Sequence, residues 1–194
     1  MDRRILAIVL LLAAMSTSFS SAAQEKSKTQ FALSTDVVDW ACLGTINLDA
    51  GVSVHQYFSV ELGAKFNPWE FTTGGKDLPL YNHQATAYAG MRYWPWYVFS
   101  GWWIGAQAQY TQYEETGIWR PALDTGAAVG GGLSVGYTLM LNEKLNLEFG
   151  LGVWAGRRYK YTLYCCPECM EVRGSGPSNF IALNDLSVAV MYVF

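Results

Sequence analysis

Apolar and polar residues alternate with a period of two along most of this chain, and no other feature of the sequence restricts the possible folds as strongly. In the stretch TINLDAGVSVH, Ile46, Leu48 and Val52 share one face while Asn47 and Asp49 share the other. Successive side chains of a β-strand point to opposite faces, whereas an α-helix would scatter the same residues around its circumference. FSVELGAKFN, NLEFGLGVWAGR and LSVAVMYVF repeat the pattern. The alternation therefore predicts an all-β protein.

Eight such segments follow one another, and the connections between them differ in length in a regular way. HQY, PWYVFS and LNEKL are short connections, whereas those near residues 69–81, 114–125 and 161–178 are long. Short turns at one end and long loops at the other are typical of outer-membrane barrels. We therefore predict a closed, eight-stranded antiparallel transmembrane β-barrel of the outer-membrane type, with a lumen filled by side chains. The predicted strands cover residues 30–40, 45–55, 58–68, 82–94, 101–113, 126–139, 145–160 and 179–194.

The polar face of these strands carries charges of both signs. A charge that faces lipid at the middle of a bilayer costs about 2 to 4 kcal/mol, whereas opposite charges inside a closed barrel can pair. We expect this face to line the lumen and its charges to form an ion-pair network that fills it. The predicted network comprises Asp36, Asp49, Glu61, Lys65, Arg92, Glu148, Arg158, Lys160 and Asp185. The alternative is a soluble, lipocalin-like barrel that turns the charged face to water and keeps its apolar face around a ligand.

Aromatic residues gather near the predicted strand ends, and an aromatic residue closes the last strand. Girdles of aromatic rings mark both interfaces of outer-membrane barrels. The girdle candidates are Trp40, Tyr57, Phe58, Trp69, Phe71, Tyr81, Tyr93, Trp94, Trp96, Tyr97, Trp102, Tyr110, Tyr113 and Tyr137. Tyr192 and Phe194 end a strictly alternating strand, which resembles the terminal signal read by the outer-membrane assembly machinery. We expect that machinery as a partner.

The first residues of the chain indicate export. Arg3 and Arg4 precede an apolar run over residues 5–15, and small residues follow it, as in a secretory signal peptide. We predict a signal peptide over residues 1–23, a short extension over 24–29 and one barrel domain over 30–194. The chain is 51% hydrophobic and 15% charged, where soluble domains carry about 25% charged residues. We expect it in the outer membrane of a Gram-negative bacterium, in contact with lipid, and without a basic surface for nucleic acid.

Several structural motifs accompany this pattern. NPW at 67–69 closes the third predicted strand, RYW at 92–94 closes the fourth, and GGLSVGYTLMLNEKLNLE surrounds the turn between the sixth and seventh strands. With a CxxC pair in the last loop and the aromatic final strand, the chain from about residue 30 onward resembles a family of small outer-membrane barrel proteins of Gram-negative anaerobes, known only as domain of unknown function 3575. The resemblance implies a fold and a location but no reaction. Some members are encoded beside fimbrial or adhesin-like proteins, which implies surface or fimbrial proteins as partners.

Three of the four cysteines lie close together in the last predicted loop, and this sequence departs from the family by placing Cys165 before Cys166. With both termini on the periplasmic side, Cys42 in the first outer loop lies on the same side as this group, because the first and last strands of a closed barrel are neighbours. Exported chains meet oxidising conditions, so we expect Cys42 to pair with Cys165 or Cys166, and Cys169 with the other. The alternative is a zinc site of four thiolates, since Cys166-Pro-Glu-Cys169 has the spacing of a zinc knuckle.

Enzymatic groups are scarce in the sequence. His83 lies at the outer start of the fourth predicted strand, on the side facing lipid, and His55 lies at a periplasmic turn. A lipid-directed barrel enzyme would use a histidine at this rim, so His83 carries that alternative, although the sequence shows no recognisable partner for it. We predict no catalytic residue, metal or cofactor. The expected role is structural, or one of surface interaction through the extracellular loops.

Overall fold

The computed structural model describes residues 29–42, 44–72, 79–116, 122–165 and 171–194, with the side chains of 70–72, 79–81 and 184–185 outside the description. Within these ranges the chain forms ten strands and one short helix. Their bounds are β1 (Phe31–Asp36), α1 (Val37–Ala41), β2 (Ile46–His55), β3 (Phe58–Asn67), β4 (Glu70–Thr72), β5 (Pro79–Tyr93), β6 (Gly101–Thr116), β7 (Leu123–Met140), β8 (Leu145–Tyr164), β9 (Val172–Ser175) and β10 (Ser178–Val193). The predicted signal peptide over 1–23 lies outside the described residues.

Eight of these strands close into an antiparallel barrel. Each of β1, β2, β3, β5, β6, β7 and β8 pairs with the next in this order, and β10 pairs with both β8 and β1. β4 and β9 extend the β5 and β8 edges beyond the barrel, at the end that carries the long connections. The predicted closed, eight-stranded antiparallel β-barrel is confirmed.

The first strand is shorter than predicted. It ends at Asp36 rather than at residue 40, and the next five residues form α1. The Asp36 side chain caps this helix, because its Oδ1 accepts a hydrogen bond from the Val38 N–H at 2.9 Å. The same Oδ1 atom accepts from the Val188 N–H of β10 at 3.1 Å. A local cap therefore overrides the alternation that had suggested a longer strand.

The outward face of the barrel is apolar. Leu62, Leu133 and Leu183 are 61%, 64% and 72% exposed, and their strands alternate these side chains with interior polar ones. Along β6 the outward positions from Trp102 to Tyr110 are all apolar or aromatic, and polar residues begin only beyond Tyr110. Exposure of an apolar surface of this extent to water is unfavourable.

The interior at the short-turn end is closed by an apolar plug. The connection between β5 and β6 turns back into the barrel, where Phe99 adopts a positive φ of 62° and its carbonyl accepts a hydrogen bond from Asn146 Nδ2 at 2.9 Å. Trp94 is fully buried and its ring contacts that of Trp103. The plug consists of Ala32, Trp94, Val98, Phe99, Trp103, Met191 and Val193.

Two of the girdle candidates with described side chains face the interior, contrary to prediction, and those of Phe71 and Tyr81 lie outside the described residues. Trp94 belongs to the plug, and Tyr113 lies on the interior side, where its hydroxyl would meet a Cβ added at Gly126. Trp102 and Tyr137 do face outward and meet edge to face, with ring centroids 5.2 Å apart.

In the described part of the chain, no helix has the length and apolar character needed to cross a bilayer.

Candidate functional site

A cluster of charged side chains around Arg92 fills the middle of the barrel. Arg92 Nε lies 2.7 Å from Glu61 Oε2 on the neighbouring strand β3. Its Nη1 atom lies 2.8 Å from both carboxylate oxygens of Glu148 on β8. Two strands, β6 and β7, separate β5 from β8 in the sheet, so this second contact crosses the interior. The guanidinium also stacks 3.9 Å from the centre of the Trp103 ring.

Hydroxyl groups donate further hydrogen bonds to these carboxylates. Thr138 donates to Glu148 Oε2 at 3.1 Å, and Ser59 donates to Glu61 Oε1 at 3.4 Å. A buried charge needs an opposite charge and further hydrogen bonds to offset its loss of hydration, and both carboxylates of this cluster have them. Tyr88 donates to Asp49 close by. The cavity beside Arg92 has a volume of about 10 Å³, which is room for a single water at most.

The predicted members of the lumen network whose side chains are described do not all meet in one network. Lys65 pairs with Asp39 of α1 at 2.8 Å, a partner that the sequence pattern did not suggest because the helix was not foreseen. Asp36 is buried at the capping position described above and serves main-chain donors instead. Arg158 lies among aromatic rings, 5.3 Å from the centre of the Phe180 ring and 5.4 Å from that of Tyr161. The side chain of Asp185 lies outside the described residues.

Lys160 was predicted in the lumen, but it faces outward. Ala128 pairs with Arg158 and Ala127 pairs with Lys160, so Tyr159 is an extra residue on β8. Such a bulge reverses the facing of every later residue relative to the simple alternation. Lys160 is exposed on the outer surface as a result.

The outward face carries a groove of about 710 Å³ at the end of the long loops. We call this concavity the rim groove. It crosses β5, β6, β7 and β8 just beyond the apolar band, and His83 lies in it as predicted for a rim position. The outward-facing residues of the rim groove are Phe66, Pro68, His83, Ala85, Tyr110, Gln112, Glu114, Thr125, Ala127, Tyr159, Lys160 and Thr162, and the interior positions Asn67, Gln84, Tyr113, Gly126 and Tyr161 complete its lining.

His83 has an acidic neighbour that sequence reasoning missed. Glu114 of β6 is its register partner, and Thr125 and Thr162 continue the same cross-strand row. The sequence could have indicated this neighbour only through the pairing of the fourth and fifth barrel strands. The residue opposite His83 follows from that pairing only when the length of the turn between the two strands is known. The arrangement places an imidazole, a carboxylate and hydroxyl groups along one edge of the rim groove.

A sequence model of the family described as "Protein of unknown function (DUF3575)" matches residues 7–194. This chain belongs to the DUF3575 family. The match covers essentially the whole chain, so the barrel, the Arg92 cluster and the rim groove all lie within the DUF3575 domain. No curated protein matches the sequence.

The cysteines of this DUF3575 chain are described only in part. Cys42 is exposed, Cys165 is half-buried, and both are free thiols, so the predicted pairing of Cys42 with Cys165 is not formed in the structure. Cys166 and Cys169 lie outside the described residues, and pairings that involve them stay predictions. The main chain closes this loop, because the Cys165 N–H donates to the Glu171 carbonyl at 2.8 Å. Among the described residues no group of three histidine, cysteine or acidic side chains is placed to hold a metal ion.

Proposed function

We propose that this DUF3575 protein is an outer-membrane β-barrel of a Gram-negative bacterium, exported by residues 1–23, with a structural or surface-interaction role. One observation carries the proposal: the barrel turns its apolar face outward and its charged face inward. A soluble barrel that holds a ligand needs the opposite arrangement. The lipocalin-like alternative therefore has little support from the side chains described.

The height of the apolar band supports the same proposal. Trp102 and Tyr110 mark its two ends on β6 and are eight residues apart. This is about 27 Å along the strand, and a strand tilt of about 40° reduces it to a height of about 21 Å. Outer-membrane barrels expose an apolar band about 25 Å tall between aromatic girdles.

The interior argues for a structural role over a channel. Charged and hydroxyl side chains fill its middle, and the plug around Trp94 and Phe99 closes the short-turn end. A barrel of eight strands is just wide enough to be filled in this way. The long connections are then the parts that carry the function. In the proposed orientation they lie on the extracellular side, where they meet surface or fimbrial proteins.

Gel mobility tests the proposal. The mature protein refolded in detergent is compared unboiled and boiled, with an unheated sample kept free of detergent. A closed membrane barrel migrates faster unboiled than boiled, and it requires detergent or lipid to stay in solution. A protein that stays soluble without detergent and shows no mobility shift contradicts the proposal and restores the lipocalin-like binder.

A lipid-directed enzyme is a second candidate, and the pairing of His83 with Glu114 at the rim groove is the observation that favours it. Replacement of His83 by Ala would then change the lipid profile of cells that express the protein. An unchanged lipid profile would argue against the enzyme, because His83 is the only histidine at the rim among the described residues.

A further inference from the structure

We propose that the rim groove binds the phosphorylated amino-sugar headgroup of an outer-leaflet glycolipid, with Lys160 contacting a phosphate. This inference rests on the proposed function, because it needs the barrel to cross the outer membrane with its long loops outside.

The rim groove lies where the apolar outward face gives way to polar side chains, which suits a ligand at the membrane–water interface. Below it the outward face is apolar, with Ile104, Leu133 and Val153 exposed. At the groove the outward side chains become polar, with Gln112 on β6 and Lys160 on β8, and Arg157 precedes Lys160 on the same face of β8. The acyl chains of a lipid bound here would lie along the apolar strands while its headgroup occupied the groove. A volume of about 710 Å³ is in the range of sites for drug-sized ligands.

The charge of the groove favours an anion near β8. Lys160 forms no ion pair with the described residues. Its row neighbours Ala127 and Gln112 are uncharged. Glu114 is two strands and two residues away, which corresponds to about 12 Å between the main chains, and its carboxylate forms no ion pair with Lys160. Arg157, exposed on the same face of β8, adds a second positive charge nearby.

One wall of the groove is held rigid. The rings of Tyr110 and Tyr159 stack with their planes 23° apart and their centroids separated by 6.4 Å. Gln112 Nε2 donates to the Tyr110 hydroxyl at 2.6 Å. Flat aromatic faces pack well on the apolar faces of sugar rings, and a wall ordered in advance loses little entropy on binding.

The remaining polar groups suit a sugar better than a simple glycerol headgroup. His83, Glu114 and Thr125 line the upper edge with donors and acceptors at several positions. Sugar hydroxyl and amide groups can satisfy such an edge, whereas a zwitterionic choline headgroup offers no hydrogen-bond donor. The bulge at Tyr159 places Lys160 in the groove, because without this extra residue Lys160 would point into the barrel.

Lipid retention by the refolded protein tests this inference. Wild type, Lys160→Glu, Lys160→Gln and Lys144→Glu are placed in phosphatidylcholine nanodiscs that contain lipid A or its dephosphorylated form. After purification in detergent, the lipid A retained per protein is measured by mass spectrometry. Lys144→Glu is the matched control, because it makes the same charge change at an exposed site in the short turn between β7 and β8.

We expect wild type and Lys144→Glu to retain lipid A about tenfold better than its dephosphorylated form, and Lys160→Glu to lose that preference. Lys160→Gln removes the charge with a smaller perturbation and should lose most of it. Equal retention by the Lys160 variants overturns the inference, as does equal retention of phosphatidylcholine. Displacement by millimolar inorganic phosphate also overturns it, because the site would then take a free anion.

The two proposals fail in different ways. Boiling-dependent mobility is recorded on each sample before lipid is added. Wild type that shows the mobility shift but no lipid A preference removes only the glycolipid site. Wild type without the shift removes the membrane barrel and the glycolipid site together.

Discussion

Arg92 of β5 and Glu148 of β8 meet across the interior of the barrel, with Arg92 Nη1 2.8 Å from each carboxylate oxygen of Glu148. These residues are 56 positions apart in the chain and lie on strands that do not pair. Together with Glu61 they tie three strands through one guanidinium. The stability of the barrel should depend on this junction more than on any surface ion pair.

Replacement of Arg92 by Met should destabilise the barrel strongly, because Glu61 and Glu148 would lose their shared counter-charge. Removal of one partner from a buried ion pair costs about 3 to 5 kcal/mol. Urea unfolding of the protein in detergent, followed by tryptophan fluorescence, measures the loss. Lys65→Met is the control and should cost less, because its ion pair joins Lys65 to Asp39 alone, whereas Arg92 is shared by Glu61 and the more deeply buried Glu148. An Arg92 variant as stable as wild type would contradict this role.

Gly136 and Gly131 should differ sharply in their tolerance of alanine, although both lie on β7. A Cβ at Gly136 would overlap the Trp103 indole and the Phe149 carbonyl oxygen, whereas at Gly131 the nearest atom is 3.5 Å away. Overpacking of this kind costs about 1 to 3 kcal/mol. We expect Gly136→Ala to lower the urea midpoint and Gly131→Ala to leave it unchanged. Equal midpoints would show that the interior around Trp103 is not tightly packed.

Leu133→Arg separates a lipid-facing barrel from a soluble one. Leu133 is 64% exposed in the middle of the outward face of β7. In a bilayer, the arginine should destabilise the folded barrel by about 2 to 4 kcal/mol. In water it should be nearly neutral, as most exposed substitutions are. Folding into lipid vesicles is measured against urea, with Lys144→Arg in the exposed turn as the control. A neutral effect of Leu133→Arg in vesicles would argue against a membrane location.

The thiols should be oxidised in protein recovered from the cell envelope. Alkylation without reductant, followed by peptide mass spectrometry, should find Cys42 linked to the last loop and no free thiol. The expected pairs are Cys42 with Cys166 and Cys165 with Cys169. A Cys42→Ser variant should then release one thiol in that loop. Four alkylated cysteines in the wild type would show that no bridge forms.

Much of this fold could be predicted because the information is local. The alternation in β2, β3, β8 and β10 follows from the geometry of a strand, and it assigned Asp49, Glu61 and Glu148 to the interior correctly. The number of strands and their antiparallel order followed from short connections that alternate with long ones. The final strand behaves as expected, with Tyr192 and Phe194 facing outward and their ring centroids 4.9 Å apart.

The sequence by itself thus determined an all-β chain, its eight barrel strands and the chemical character of their two faces, because each depends on neighbours along the chain. Only the tertiary structure decided where the alternation breaks. The Asp36 cap ends β1, and the bulge at Tyr159 turns Lys160 outward. The Arg92–Glu148 contact and the rim groove likewise exist only once the sheet has closed. Each depends on register between strands distant in sequence, and the period of two within one strand carries no information about that register.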